Sequence, residues 1–162
     1  MLFRSLWAAS TKKVFAVTAA GIHALRGSDF VRTRAPADAI VGASPWAITA
    51  DGVIDAGTGR QVLAAPGAIA ATGSAGAPWV VTTDGNSACK LVGKVGGKAT
   101  TVDTPIAATT AIAGMAADRA GRVMIVTTAG DIHVWADSAW TTGTLTDELP
   151  EAKPGPGPAR TP

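Results

Sequence analysis

The sequence predicts an all-β fold assembled from about four copies of one short unit. Three observations carry that prediction: a recurring Thr-x-x-Gly turn, an apolar run of strand length before each turn, and few windows in which a helix fits. The turn recurs in VFAVTAAG (14–21), WAITADG (46–52), WVVTTDG (79–85) and VMIVTTAG (123–130). Thr18, Thr49, Thr82 and Thr127 fall in register, followed three residues later by Gly21, Gly52, Gly85 and Gly130. Intervals of 31, 33 and 45 residues separate the threonines (18 to 49, 49 to 82, 82 to 127), in the range typical of repeat architectures. The chain holds 19 Gly and 10 Pro. An interior glycine costs a helix about 1 kcal/mol and a proline about 3 kcal/mol. The Ala-rich segment 106–118 is the one helical competitor, and its Thr pair, isoleucines and Gly114 turn it toward strand.

The first three units each supply an apolar strand and a turn. The Asp-Gly pairs at 51–52 and 84–85 suit two-residue turns that need positive φ, which glycine adopts without steric penalty. Trp46 and Trp79 open equivalent strands after proline and are expected to pack between units. The fourth unit is the most complete. AIAGMAAD (111–118) reads as a strand, RAGR (119–122) as a turn, and VMIVTT (123–128) as a second strand. After a tight turn, IHVWAD (132–137) and SAWTTGTL (138–145) supply the third and fourth. Short runs of Val, Ile, Thr and Trp bounded by Gly and Asp are the hairpin signature. WVV and VMIV do not alternate, which predicts burial on both faces of the second strand. From Pro150 the composition changes to PEAKPGPGPARTP, which lacks the apolar surface to fold. The expected organisation is a repeat domain over 1–149 and a disordered tail or linker over 150–162.

Composition removes several classes of function. The chain is 47% hydrophobic and 16% charged, and no apolar run approaches the ~18 residues of a membrane-spanning helix. The net charge of +2 is scattered apart from Lys12–Lys13, so the clustered footprint of nucleic-acid binding is missing. Arg4 interrupts the mildly apolar start, and no signal peptide is read; the sequence names no compartment. The lone Cys89 excludes an internal disulfide and a multi-cysteine metal site, and is expected to be a small buried residue on a strand.

Over 111–135 the pattern AIAGMAADRAGRVMIVTTAGDIHVW resembles a β-propeller blade of the NHL, YVTN or SMP-30-like families. The run G-M-A-A-D-x-x-G-x-V, with Asp118 and Gly121, carries the likeness, which weakens over 12–110. The resemblance implies a β-propeller-type array of about four short four-stranded blades, either a closed four-blade ring or a partial propeller completed by further blades or a second copy. It implies no single chemistry, because lyases, lactonases, receptors and docking modules share the fold.

Motifs that suggest chemistry fail on inspection. GKVGGKATT (93–101) has Ala99 where a phosphate-binding loop needs a hydroxyl after Lys98, and Val92 where it needs its first glycine. TGSAG (72–76) has Thr72 in place of the first glycine of a nucleophile elbow, and no helix follows Ser74. Asp51, Asp84, Asp118 and Asp131 sit where a short carboxylate bonds nearby amides in a turn. His23 and His133 follow isoleucines on third strands, as exposed polar positions or as groups facing a shared channel. Trp135 and Trp140 lie in outer strands, where an indole offers large contact area and one polar handle.

The expectation is therefore a non-catalytic binding module presenting loops to a protein or small ligand, with Trp135, Trp140, His23 and His133 as candidate ligand-binding residues. No catalytic residue, metal ligand or cofactor is assigned. The alternatives are a fragment of a lyase- or lactonase-type enzyme needing a divalent metal, and a sensory propeller within a larger signalling protein. A homodimer, or blades outside this chain, is the expected partner arrangement.

Overall fold

The computed structural model describes residues 3–34, 37–41, 44–74, 77–95 and 98–145, with sixteen strands and no helix among them. The strands form four antiparallel meanders, each in simple chain order. The first sheet holds β1 (Phe3–Ser10), β2 (Lys13–Thr18), β3 (Gly21–Arg26) and β4 (Asp29–Arg34). The second holds β5 (Ala39–Val41), β6 (Trp46–Thr49), β7 (Gly52–Asp55) and β8 (Gln61–Ala64). The third holds β9 (Ala68–Ser74), β10 (Ala77–Thr82), β11 (Lys90–Val95) and β12 (Lys98–Asp103). The fourth holds β13 (Ile112–Ala117), β14 (Val123–Thr127), β15 (Asp131–Ala136) and β16 (Ala139–Thr144). Each strand expected in the fourth unit is present within one or two residues of its expected ends.

The repeated threonine closes the central hairpin of its sheet. Thr18 Oγ1 accepts from the Ala20 amide at 3.1 Å and donates to the Gly21 carbonyl at 3.4 Å. Thr49 Oγ1 donates to the Gly52 carbonyl at 3.0 Å, and Thr127 Oγ1 accepts from the Asp131 amide at 3.1 Å. In the third sheet the neighbouring Thr83 does this work, accepting from the Gly85 amide at 3.0 Å. The glycine of the unit is fixed by crowding at Gly52: φ is +129°, and a Cβ there would collide with the Leu63 carbonyl and the Ala65 amide.

The turns differ in detail from the expectation. Thr49 pairs with Gly52, so the central residues of that turn are Ala50 and Asp51, and the glycine opens the next strand. Gly85 lies in a longer loop, since Thr82 pairs directly with Lys90. Among the described residues, the non-glycine positions with positive φ are Asp137 (50°) and Ser138 (63°), which join β15 to β16. That pair of angles is the left-handed hairpin turn the sequence suggested for Asp-Gly.

The sheets stack face to face, and β1, β5, β9 and β13 are neighbours in series. Three cores fill the three gaps. Phe15, Val17 and Ile22 of the first sheet meet Ile40 and Ala47 of the second. Trp46, Ile48 and Val53 meet Ala68, Ala71 and Val80 of the third. Trp79, Val81 and Leu91 meet Val123 and Ile125 of the fourth, with Cys89 and Ile106 enclosed beside them. Polar clips cross the gaps: Ser5 Oγ donates to the Ile40 carbonyl at 3.1 Å and accepts from its amide at 3.2 Å. Four four-stranded sheets in series are compatible with a propeller-like arrangement. Among the described residues, however, no core cluster joins the fourth sheet to the first, and no ring closure is seen among them.

Burial on both faces of the second strand holds for Trp79, Val80 and Val81, all 3% exposed or less. It fails for VMIV, where Val123 and Ile125 are fully buried but Met124 is 41% exposed. Among the described residues the fourth sheet has a neighbour on one side alone, and that asymmetry explains the alternation. The expected tail, 150–162, lies outside the described residues, as does the domain boundary near 149.

Candidate functional site

An antiparallel meander sends its loops to two ends. The Thr-x-x-Gly hairpins and the links between sheets emerge at one end of the stack; the first-to-second and third-to-fourth turns emerge at the other. At this second end a cleft of about 430 Å³ opens between the third and fourth sheets. Its walls are the adjoining ends of β9 and β10, the end of β11 and the β13–β14 turn. Gly73 (φ +103°) shapes the first wall, since a Cβ there would strike the Ala77 carbonyl.

Trp79 forms part of the lining, held down by the strand opposite it. Trp79 pairs with Gly93, and the indole covers the spot where a side chain at 93 would begin. Lys94 and Arg119 bring two cations to the rim, and among the described residues neither is ion-paired. The β13–β14 turn is pre-set by Asp118. Its Oδ1 accepts from the Ala120 and Arg122 amides at 2.9 and 3.0 Å, and its Oδ2 accepts from Arg122 Nε at 2.6 Å. The Arg122 side chain, followed by its amide, holds the Asp118 carboxyl below its ordinary pKa. The cleft therefore presents a net cationic rim above a largely buried indole.

The carboxylates of Asp84 and Asp55 are likewise committed to their own loops. Asp84 Oδ1 accepts from the Ser87 and Asn86 amides at 2.8 and 2.9 Å, and those bonds lower its pKa. Asp55 Oδ1 accepts from the Thr58 amide at 2.7 Å and its hydroxyl at 2.9 Å. Asp131 Oδ2 lies 3.5 Å from Thr127 Oγ1, while Asp51 serves through its carbonyl, which accepts from Ala65. Among the described residues no three His, Cys, Asp or Glu side chains converge as a metal site would require. Cys89 is buried, its thiol 3.5 Å from the Ala107 carbonyl, and burial raises its pKa.

The four residues singled out from the sequence fall into two groups. Trp135 and Trp140 are brought together across β15 and β16, with ring centroids 5.4 Å apart. Both pack against the core between the third and fourth sheets, and Trp140 Nε1 donates to the Asp103 carbonyl at 2.9 Å. They clip one sheet to the next while remaining partly exposed. The histidines are not brought together. His23 pairs with Ala16, on the face of the first sheet turned away from the second; His133 pairs with Ile125, on the face of the fourth turned toward the third. Nor is His23 an exposed polar position. It is 4% exposed, with Nε2 3.0 Å from Thr18 Oγ1. The hairpin threonine sits within reach of the ring, and sequence alternation did not reveal that.

No protein-family model, curated protein or solved structure matches the chain. The likeness to NHL-type blades therefore has no family match behind it, and function is argued from the site itself.

Proposed function

We propose that this chain is a non-catalytic binding module of the β-propeller type, taking its ligand at the cleft between the third and fourth sheets. The observation that carries the proposal is the pairing of free cations, Lys94 and Arg119, with a rigidly seated indole, Trp79, at one sheet end. The nearby acid, Asp118, is committed to its own turn. A few convergent polar groups above an apolar floor are the usual makings of a ligand site. The charge favours a ligand with a carboxylate or other anionic group beside an apolar portion, as in an acidic segment of a partner protein.

Titration of isotope-labelled protein with short peptides of Glu and Phe, against peptides of Lys and Phe, tests this reading. Amide shifts confined to residues 73–79, 93–95 and 117–122 are expected with the acidic peptides alone. Lys94→Glu combined with Arg119→Glu should abolish them while leaving the melting transition in place. An equal response to both peptides, or shifts centred elsewhere, would contradict the proposal.

A further inference from the structure

The meander gathers charges that the sequence scatters. The turns joining first to second and third to fourth strands emerge at the end of the stack that carries the cleft. In the first sheet they place Lys12, Lys13 and Arg26 at that end, and in the second Arg60; all four side chains are exposed. Lys98, which opens β12, is exposed at the same end as Lys94. Among the described residues none of these cations is ion-paired. Lys13 lies over the Trp7 ring, 5.8 Å from its centroid, and keeps its charge. Acids are fewer here. Asp55 and Asp118 are committed to their own turns, which leaves Asp29 and Asp137. Asp38, Asp51, Asp84, Asp103 and Asp131 lie toward the opposite end, where Arg4, Arg32, Arg34 and Lys90 balance them. The positive charge of the described residues is thus concentrated at the cleft end.

We propose that this whole end is a docking face for an acidic segment of a partner protein, long enough to run from the cleft to the turns of the first sheet. The inference rests on the cleft reading above and extends it. Lys94 and Arg119 hold one part of the segment, and Lys12, Lys13 and Arg26 another. Packed sheets sit about 10 Å apart, so three gaps span about 30 Å, which about nine extended residues cover. Charge complementarity argues for the occupant, because a face of one sign steers its opposite and repels its like. A protein segment fits better than other polyanions. Single-stranded nucleic acid stacks its bases on exposed aromatic rings, but the Trp79 indole is 3% exposed and Trp135 and Trp140 pack against each other. A membrane surface is gripped by apolar side chains beside the cations, whereas Leu6, Val31, Ile69 and Met124 project from strands. Asp29 and Asp137 divide the positive face into separate stations, which spaced carboxylates match.

The test is fluorescence anisotropy of two labelled peptides with the full chain: Glu-Phe-Glu-Phe, and the same peptide extended by about eight further Glu to cover the span. At low salt the long peptide should bind at least about tenfold tighter than the short one. That gap should shrink as added salt screens the outer cations. Lys12→Gln, Lys13→Gln and Arg26→Gln together should return the long peptide to the affinity of the short one and leave the short one unchanged. The charge-conserving set Lys12→Arg, Lys13→Arg and Arg26→Lys should bind as wild type does, which separates charge from folding. Short-peptide binding with no gain from length overturns this inference and leaves the cleft reading standing. No binding of the short peptide defeats the cleft reading, and this inference with it. Tighter binding of an oligothymidylate strand or of phosphatidylserine vesicles than of the long peptide, at equal salt, would also overturn it.

Discussion

Gly93→Ala isolates the packing on which both the cleft and the third core depend. An added Cβ would meet the Cε3, Cζ3 and Cδ2 atoms of Trp79 well inside the ~3.5–4.0 Å of ordinary carbon contact. The indole is 3% exposed and packed with Val81, Leu91 and Val123, so its only room to move is the cleft it lines. If the ring and strand share the adjustment, overpacking of this kind costs about 1–3 kcal/mol. If the indole is expelled, the loss approaches the ~3–5 kcal/mol of removing a large aromatic from a core. For a domain of this size each kcal/mol lowers the melting temperature by roughly 2–4 °C, so a fall of about 2–12 °C is expected for the milder case. Calorimetry on Gly93→Ala, Trp79→Phe and the double variant gives the coupling. The smaller ring vacates space, and the double variant should be less destabilised than the sum of the singles. Gly93→Ala melting within about 0.5 kcal/mol of wild type would refute the placement of Trp79.

Removal of the Trp140 indole N–H by Trp140→Phe should cost about 1 kcal/mol, with the Asp103 carbonyl losing its donor; denaturant unfolding reads this directly. Burial raises the Cys89 pKa, so disulfide reagents should modify the native chain far more slowly than the unfolded one, and equal rates would place Cys89 at the surface. Asp84 and Asp118 have pKa values lowered by folding, by backbone amides and by Arg122 respectively. Groups of that sign contribute stability above the ordinary aspartate pKa and lose it as pH falls through the folded value. Asp118→Asn should therefore flatten the acid limb of the stability curve, measured by urea midpoints across that range, and an unchanged limb would contradict the turn geometry.

The strands of the fourth unit were legible because β-branched runs and Gly or Asp boundaries are local signals. Asp118 announced its turn for the same reason: a short carboxylate before x-x-Gly closes on its own amides. Features set by neighbouring strands were not legible. The seating of His23 against Thr18 is set across a hairpin, and the exposure of Met124 reflects that no further sheet packs on it among the described residues. The cleft was not legible because its residues, Gly73, Ser74, Ala77, Trp79, Lys94 and 117–121, belong to two repeats and meet through the meander. The clue in the sequence was topological: Lys94 and Arg119 both fall at strand ends on the same side of their sheets. The left-handed Asp137–Ser138 turn was hidden by the stronger glycine signals elsewhere.

The central claim, four sheets stacked in chain order, is tested most directly by methyl nuclear Overhauser contacts in samples mixing labelled and unlabelled chains. Within one chain, contacts are expected from Val17 to Ile40, from Ile48 to Ala71, and from Val81 to Ile125. Met124 and Leu6, 41% and 62% exposed, should show no contact within one chain. That contact within a single chain would mean that the fourth sheet also meets the first, and the stacking described here would be wrong.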